Sequence, residues 1–333
     1  MRGTRVSAFR DGHRVLRFVP NMGPGFMGIG QMVFTPNGRH LVTGSVDRKA
    51  RLWDVADPAV PVLVAAVTHR GRVHAVTCSP DGELLAAGGS DRRTTLWGIA
   101  APEAPIQLAA LDNQRMTVDA VAFAPDGRFL ATTSGYRSRF SAVGDRAVTI
   151  WAVDDAAAPS RVSVLPAHQQ PVLAAAFSPD GSMLATGCTD RTVRLWDVRD
   201  VTSPRRLACA DCESMIGSVS FSVDGSLLYA AGFEGVTLWD LGADVTAPVR
   251  LSTLPHRREV LAMAVTADGR LVASTDGSKI LLWDVSDPAV PQKPEELSRS
   301  RAEVWSLAFS PDGRLLAGGD SNGTTTLYHV GNS

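Results

Sequence analysis

Apolar and polar residues alternate along this chain with a period of two, in short runs bounded by Gly, Pro, Asp and Asn. That period belongs to half-buried β-strands; a helix face would repeat every 3.6 residues. One stretch shows the unit. Val172–Ser178 leads into Pro179-Asp180-Gly181, Met183–Gly187 into a Thr-Asp-Arg turn, and then follow Val193–Trp196 and Arg205–Cys209. These are four short strands joined by turn chemistry, because Asp-Gly supplies the positive φ that a tight hairpin needs.

The unit recurs. The turn appears at Asn37, Asp81, Asp126, Asp180, Asp224, Asp268 and Asp312, at spacings of 44, 45, 54, 44, 44 and 44. In step with it run Trp53, Trp97, Trp151, Trp196, Trp239, Trp283 and Tyr328, so six of the seven tryptophans occupy one repeat position. Four antiparallel strands every 44 or so residues make one blade of a β-propeller, and seven copies make an all-β, seven-bladed ring. The strings Phe-Ser-Pro-Asp-Gly, Leu-Trp-Asp-Val and Asp-Arg-Thr-Val-Arg-Leu-Trp-Asp resemble WD40 repeats, and the wording Trp-Asp-Val-x-Asp-Pro resembles the arrays of high-GC bacteria. Repeats are expected near 28–67, 72–111, 116–166, 171–209, 215–254, 259–298 and 303–330, within a single propeller over 1–333. The last repeat has three strands only. A closing strand at 14–20 is therefore expected to complete it, leaving no open sheet edge.

The resemblance also implies a buried tetrad of His, Ser or Thr, Asp and Trp in a blade. Repeat four matches it with His168, Thr186, Asp190 and Trp196. Repeat two keeps His69, Asp91 and Trp97 but has Ala87 in place of the hydroxyl, and repeat six keeps His256, Ser274 and Trp283 with a shortened turn at Asp276. The less complete blades should be softer, at about 1 kcal/mol per lost hydrogen bond. These histidines recur once per repeat and do not converge on one cavity, so they are read as structural. Cys209 and Cys212 form a CxxC on a fourth strand and its exit loop, outside the strand-to-helix setting of a redox motif and short of the four ligands of structural zinc. No metal or cofactor is expected, and no nucleophile and base are placed together by the sequence.

Composition narrows the class. With 44% hydrophobic residues, 20% charged residues, a net charge of −1 and four cysteines, the chain reads as a cytoplasmic globular protein without a disulfide scaffold. No apolar stretch is long enough to span a bilayer, and residues 1–17 lack a signal-peptide core. The near-zero total hides a division. The a–b and c–d turns of a blade lie on one face of the ring and collect the Asp-Gly acids together with Asp54, Asp57, Asp154, Asp155, Asp197, Asp200, Asp240, Asp244, Asp284 and Asp287. The b–c and d–a loops of repeats two and three collect Arg70, Arg72, Arg92, Arg93, Arg115, Arg137, Arg139 and Arg146 against Asp91, Asp112 and Asp145. Repeat three also carries an insertion around Tyr136, Arg137, Arg139 and Phe140, a composition common at binding hot spots.

At the channel mouth each repeat contributes the residue after its first core position: Gly30, His74, Asp119, Leu173, Gly217, Leu261 and Trp305, with Glu303 beside the last. The family resemblance implies protein or peptide binding on the face bearing the b–c and d–a loops. The charge sort adds an acidic partner at Arg70, Arg72, His74, Arg92, Arg93, Arg115, Asp119, Tyr136, Arg137, Arg139, Phe140, Glu303 and Trp305. The expected product is a monomeric, non-enzymatic interaction scaffold. Two alternatives stand beside it: a small-ligand sensor or enzyme at the channel mouth, and binding of a nucleic-acid backbone by the arginines, which the net charge disfavours.

Overall fold

Seven glycines of the repeated turn, from Gly38 to Gly313, take φ of 69–76° in the computed structural model. Only glycine adopts this region without strain. The model describes residues 6–10, 13–18, 28–111, 116–135, 147–165, 168–242, 244–299 and 302–330. In six of the seven turns a Ser or Thr two residues before the Asp or Asn donates its hydroxyl to that side chain, as Ser178 does to Asp180 at 2.6 Å. Blade three has Ala124 there and forgoes the bond.

Each turn folds its strands into an antiparallel meander, and seven such sheets form the ring. The innermost strands are Ile29–Phe34, Val73–Cys78, Thr117–Phe123, Val172–Phe177, Ile216–Phe221, Met263–Val265 and Val304–Phe309. Each packs against the next, and Val304–Phe309 meets Ile29–Phe34 to close the circle. Six sheets have four strands. The last has five: His13–Phe18 pairs antiparallel with Thr325–His329, with Val15 opposite Tyr328, and Val6–Arg10 adds a further strand outside it. The closing strand thus ends at Phe18; positions 19 and 20 of the expected 14–20 lie outside the described residues. Two features depart from the expectation. The blade-seven sheet is wider by one strand, and the innermost strand of blade six is only three residues long.

The core is distributed around the ring in seven apolar clusters, one at each seam between neighbouring blades. The repeated aromatic explains its own period here: Trp53, Trp151, Trp196, Trp239, Trp283 and Tyr328 are each buried in the seam with the preceding blade. Trp97, at the seam of blades one and two, is only partly buried.

Backbone bonds fix which loops share a face. In every blade the residue two past the aromatic donates its amide to the a–b turn, as Val198 does to Ser182 and Ile99 to Glu83. On the other face b–c turns bond to d–a loops, as His69 does to Arg48 and Ser90 to Arg72.

Candidate functional site

The channel residues owe their position to a repeated irregularity. Six of the seven innermost strands carry a register shift near their start, between Ile29 and Gln31, Val73 and Ala75, Val118 and Ala120, Val172 and Ala174, Ile216 and Ser218, and Val304 and Ser306. The residue inside each shift is the extra one of a β-bulge, which leaves the ladder and re-aims its side chain. Those residues are Gly30, His74, Asp119, Leu173, Gly217 and Trp305. In blade six the ladder begins only at Met263, and Thr275 Oγ1 accepts the amides of Leu261 and Ala262 at 2.9 and 3.2 Å instead. All seven predicted positions line one cavity of about 130 Å³ at the centre of the ring.

Two glycines make room for the largest groups there. A Cβ on Gly28 would lie 2.3 Å from the Trp305 ring, and one on Gly135 would lie 2.8 Å from the Asp119 carboxylate. A side chain at either position would displace its neighbour.

On the face of the b–c and d–a loops, backbone bonds bring the arginine-bearing segments of blade two together. Arg72 donates its amide to Ser90 Oγ at 2.9 Å, and Ser90 returns its own amide to the Arg72 carbonyl. This ties the loop carrying Arg70 and Arg72 to the turn carrying Arg92 and Arg93. Arg70, Arg72 and Arg92 are exposed, Arg93 is half-buried, and Glu303 is exposed on the same face. Arg115, Tyr136, Arg137, Arg139, Phe140 and Arg146 lie outside the described residues. One feature of this rim escaped the sequence reading. Arg92 has a φ of 69°, as Arg48 and Arg191 have 70° and 66° at the equivalent turn.

The tetrad of blade four is assembled. His168 Nε2 bonds Thr186 Oγ1 at 2.7 Å, its Nδ1 bonds Asp190 Oδ2 at 3.3 Å, and Trp196 Nε1 donates to the same Thr186 hydroxyl at 3.0 Å. Burial pushes the His168 pKa down to about 4, the nearby Arg194 guanidinium adds to this, and the ring is neutral at pH 7. Blade two differs where Ala87 stands. His69 Nδ1 still meets Asp91 at 3.3 Å, but His69 Nε2 and Trp97 Nε1 are buried with no side-chain partner. The same rule runs round the ring. The indole of Trp53, Trp151 and Trp283 donates to Thr43, Thr132 and Ser274, whereas Trp239, whose blade has Ala230 at the position of the hydroxyl, has no acceptor. In blade six His256 bonds Ser274 at 2.7 Å and turns its other nitrogen to the Leu254 carbonyl at 2.8 Å, which replaces the missing aspartate.

His168, Cys188 and Asp190 bring three metal-ligand types within 4.8 Å. Both ring nitrogens of His168 are engaged in the tetrad, and burial pushes the Cys188 thiol up to about 12. A cation there would have to break the tetrad. Cys209 is exposed, Cys212 is half-buried, and all four cysteines are free thiols. On the opposite face the six Asp-Gly carboxylates are exposed. Arg39, Arg128 and Arg199 pair with Asp54, Asp154 and Asp197 at 3.1, 2.7 and 2.5 Å, and hydrogen bonds from Arg199 hold Asp197 down at about 2. No helix among the described residues is long and apolar enough to cross a membrane.

Comparison with known proteins agrees with this geometry. Pre-mRNA-processing factor 19 of Oryza sativa subsp. japonica is similar at 26% identity over 194 residues, covering 58% of this chain and 34% of that protein. The chain thus spans about a third of the length of that relative. The family described as WD domain, G-beta repeat matches residues 24–54, 62–98, 159–197, 249–284 and 295–329, more than half of the chain. Four of these matches begin on or beside an outermost strand and end on the third strand of the following blade. A sequence repeat therefore straddles two blades, which is why a strand from the start of the chain is needed to finish the last one. Chain periodicity, blade geometry and family match agree, and the chain belongs to the WD40 repeat family.

Proposed function

We propose that this protein is a non-catalytic scaffold that binds a protein or peptide on the face bearing the b–c and d–a loops, with an acidic segment of the partner engaging blades two and three. WD40 propellers generally bind protein partners, and the similarity to a pre-mRNA-processing factor fits that general role. The observation that carries the reading is that the loop of Arg70 and Arg72, which leads into the strand placing His74 in the channel mouth beside Asp119 and Trp305, is tied to the turn of Arg92 and Arg93. Exposed guanidinium groups bind carboxylates bidentately, and Trp and Arg are enriched at interface hot spots. The cavity of about 130 Å³ is small beside the 300–1,000 Å³ of small-molecule sites, which favours a surface partner over an enclosed ligand.

The test is affinity capture from native extract with the wild type and with Arg93, Arg137 and Arg139 reversed to Glu. Loss of the captured partner is expected, together with retention in an Arg199→Glu control on the opposite face. Unchanged capture by the triple variant would overturn the assignment of the face. A salt dependence as steep as that of a nucleic-acid complex would move the reading to a phosphate backbone.

A further inference from the structure

The seam between blades one and two opens a second cavity, of about 250 Å³, on the face carrying the a–b and c–d turns. It exists because blade one breaks the repeat at two positions. The residue that starts the second strand, opposite the one after the aromatic, is Leu84, Phe129, Met183, Leu227, Leu271 or Leu315 in the other six blades; in blade one it is His40. The turn residue that is Asp in six blades is Asn37 here.

His40 is 8% exposed and lines the cavity, and among the described residues neither of its ring nitrogens has a hydrogen-bond partner. Neither nitrogen is sealed off from the cavity, so a molecule seated there can supply the bond. Burial also lowers its pKa, so at neutral pH one ring nitrogen is an acceptor. Asn37 Oδ1 accepts from the Thr35 hydroxyl at 2.7 Å and the Arg39 amide at 3.0 Å. That fixes the oxygen, leaving the amide N–H groups available to a carbonyl.

The rest of the wall is amphipathic. Ala100 and Pro102 supply apolar surface over the buried Leu52 and Ile99, while Asp81 and Glu83 supply two exposed carboxylates at the rim. Neither carboxylate forms an ion pair among the described residues, and the guanidinium of Arg39, two residues past Asn37, is held by Asp54 at 3.1 Å.

We propose that this seam is a binding slot for an arginine side chain of a partner peptide. Its apolar stem lies on Ala100 and Pro102, and its guanidinium donates to His40 and to the carboxylates of Asp81 and Glu83. The peptide carbonyl faces the Asn37 amide. Size agrees: at about 30 Å³ per water the cavity holds roughly eight waters, close to the seven non-hydrogen atoms of an arginine side chain. The slot lies on the opposite face from the proposed acidic-partner surface and does not depend on it.

The test uses the intact protein and two short peptides, glycines flanking one arginine or its uncharged isostere citrulline, followed by ligand-observed saturation-transfer NMR. Saturable binding of the arginine peptide is expected, at least about tenfold tighter than the citrulline peptide, as the loss of a charged hydrogen bond implies. His40→Leu installs the residue type of the sibling blades, so the fold is kept and binding should disappear. Glu83→Gln, on the exposed rim, should weaken it about threefold to tenfold. Equal binding of the two peptides, unchanged binding in His40→Leu with its thermal transition retained, or no binding at tens of millimolar peptide would overturn the proposal.

Discussion

Blades four and two are built from the same repeat and differ in how well their interiors are satisfied. In blade four one hydroxyl, Thr186, receives the indole of Trp196 and a nitrogen of His168, and Trp196 is 2% exposed. In blade two Ala87 offers no hydroxyl and only its backbone carbonyl to His69, Trp97 is only partly buried, and the adjoining seam contains a cavity. A single missing oxygen thus takes the side-chain acceptor from two rings at once. The ring keeps its shape because the backbone ladders are unaffected. What changes is local stability, and the softer blade is the one that carries the arginine rim and borders the His40 slot of blade one. Binding surfaces are commonly drawn from the less stable parts of a fold.

The contrast can be broken most severely in blade four. Thr186→Ala should cost about 2–6 kcal/mol in urea unfolding, since it strands two buried donors at about 1–3 kcal/mol each; a loss below about 0.5 kcal/mol would mean that the tetrad is decorative. Acid probes the same group. The folded pKa of His168 lies near 4, below the usual 6.5, so the unfolded chain binds more protons between these values and stability falls as pH drops from about 6.5 to 4. The shift corresponds to about 3 kcal/mol, and His168→Gln should flatten that part of the pH–stability curve.

The reverse experiment is Ala87→Ser, which offers blade two the missing hydroxyl. It should raise stability by about 1 kcal/mol, read as an upward shift of the thermal midpoint, and should do nothing if ordered water already fills the gap. Smallest is Arg92→Gly. A left-handed conformation costs a non-glycine residue about 1–2 kcal/mol, of which glycine returns about 0.5–1 kcal/mol through its greater unfolded-state freedom. A net gain of a few tenths to about 1 kcal/mol is expected in the same melts.

Much of this was legible because the repeat is its own control. The Asp-Gly turns and the aromatic series give blade number and phase, and Ala87 stands out against Thr43, Thr132 and Thr186 at the same position. The seven channel residues were legible for a related reason: one position of the innermost strand, a bulge in six of the blades, recurs in every repeat and can be counted off from the first core residue. The outer strand Val6–Arg10 was missed although Asp11-Gly12 stands between it and the closing strand. A short run containing Ser and Arg gives a weak alternation, and only its pairing partner makes it a strand. The left-handed arginines were missed because Asp-Arg carries no glycine to mark a positive φ. The His40 slot was illegible in a stronger sense, for a cavity depends on what two blades place across a seam. Comparing His40 with its six apolar counterparts was the available signal.

The most direct measurement is native-state hydrogen exchange of the free protein, comparing the third strands Thr192–Asp197 and Thr94–Gly98. The account predicts slower exchange and a higher opening free energy in Thr192–Asp197, with the difference narrowed by Ala87→Ser. Equal protection in the two strands, or greater protection in blade two, would contradict the claim that tetrad completion sets the stability of a blade.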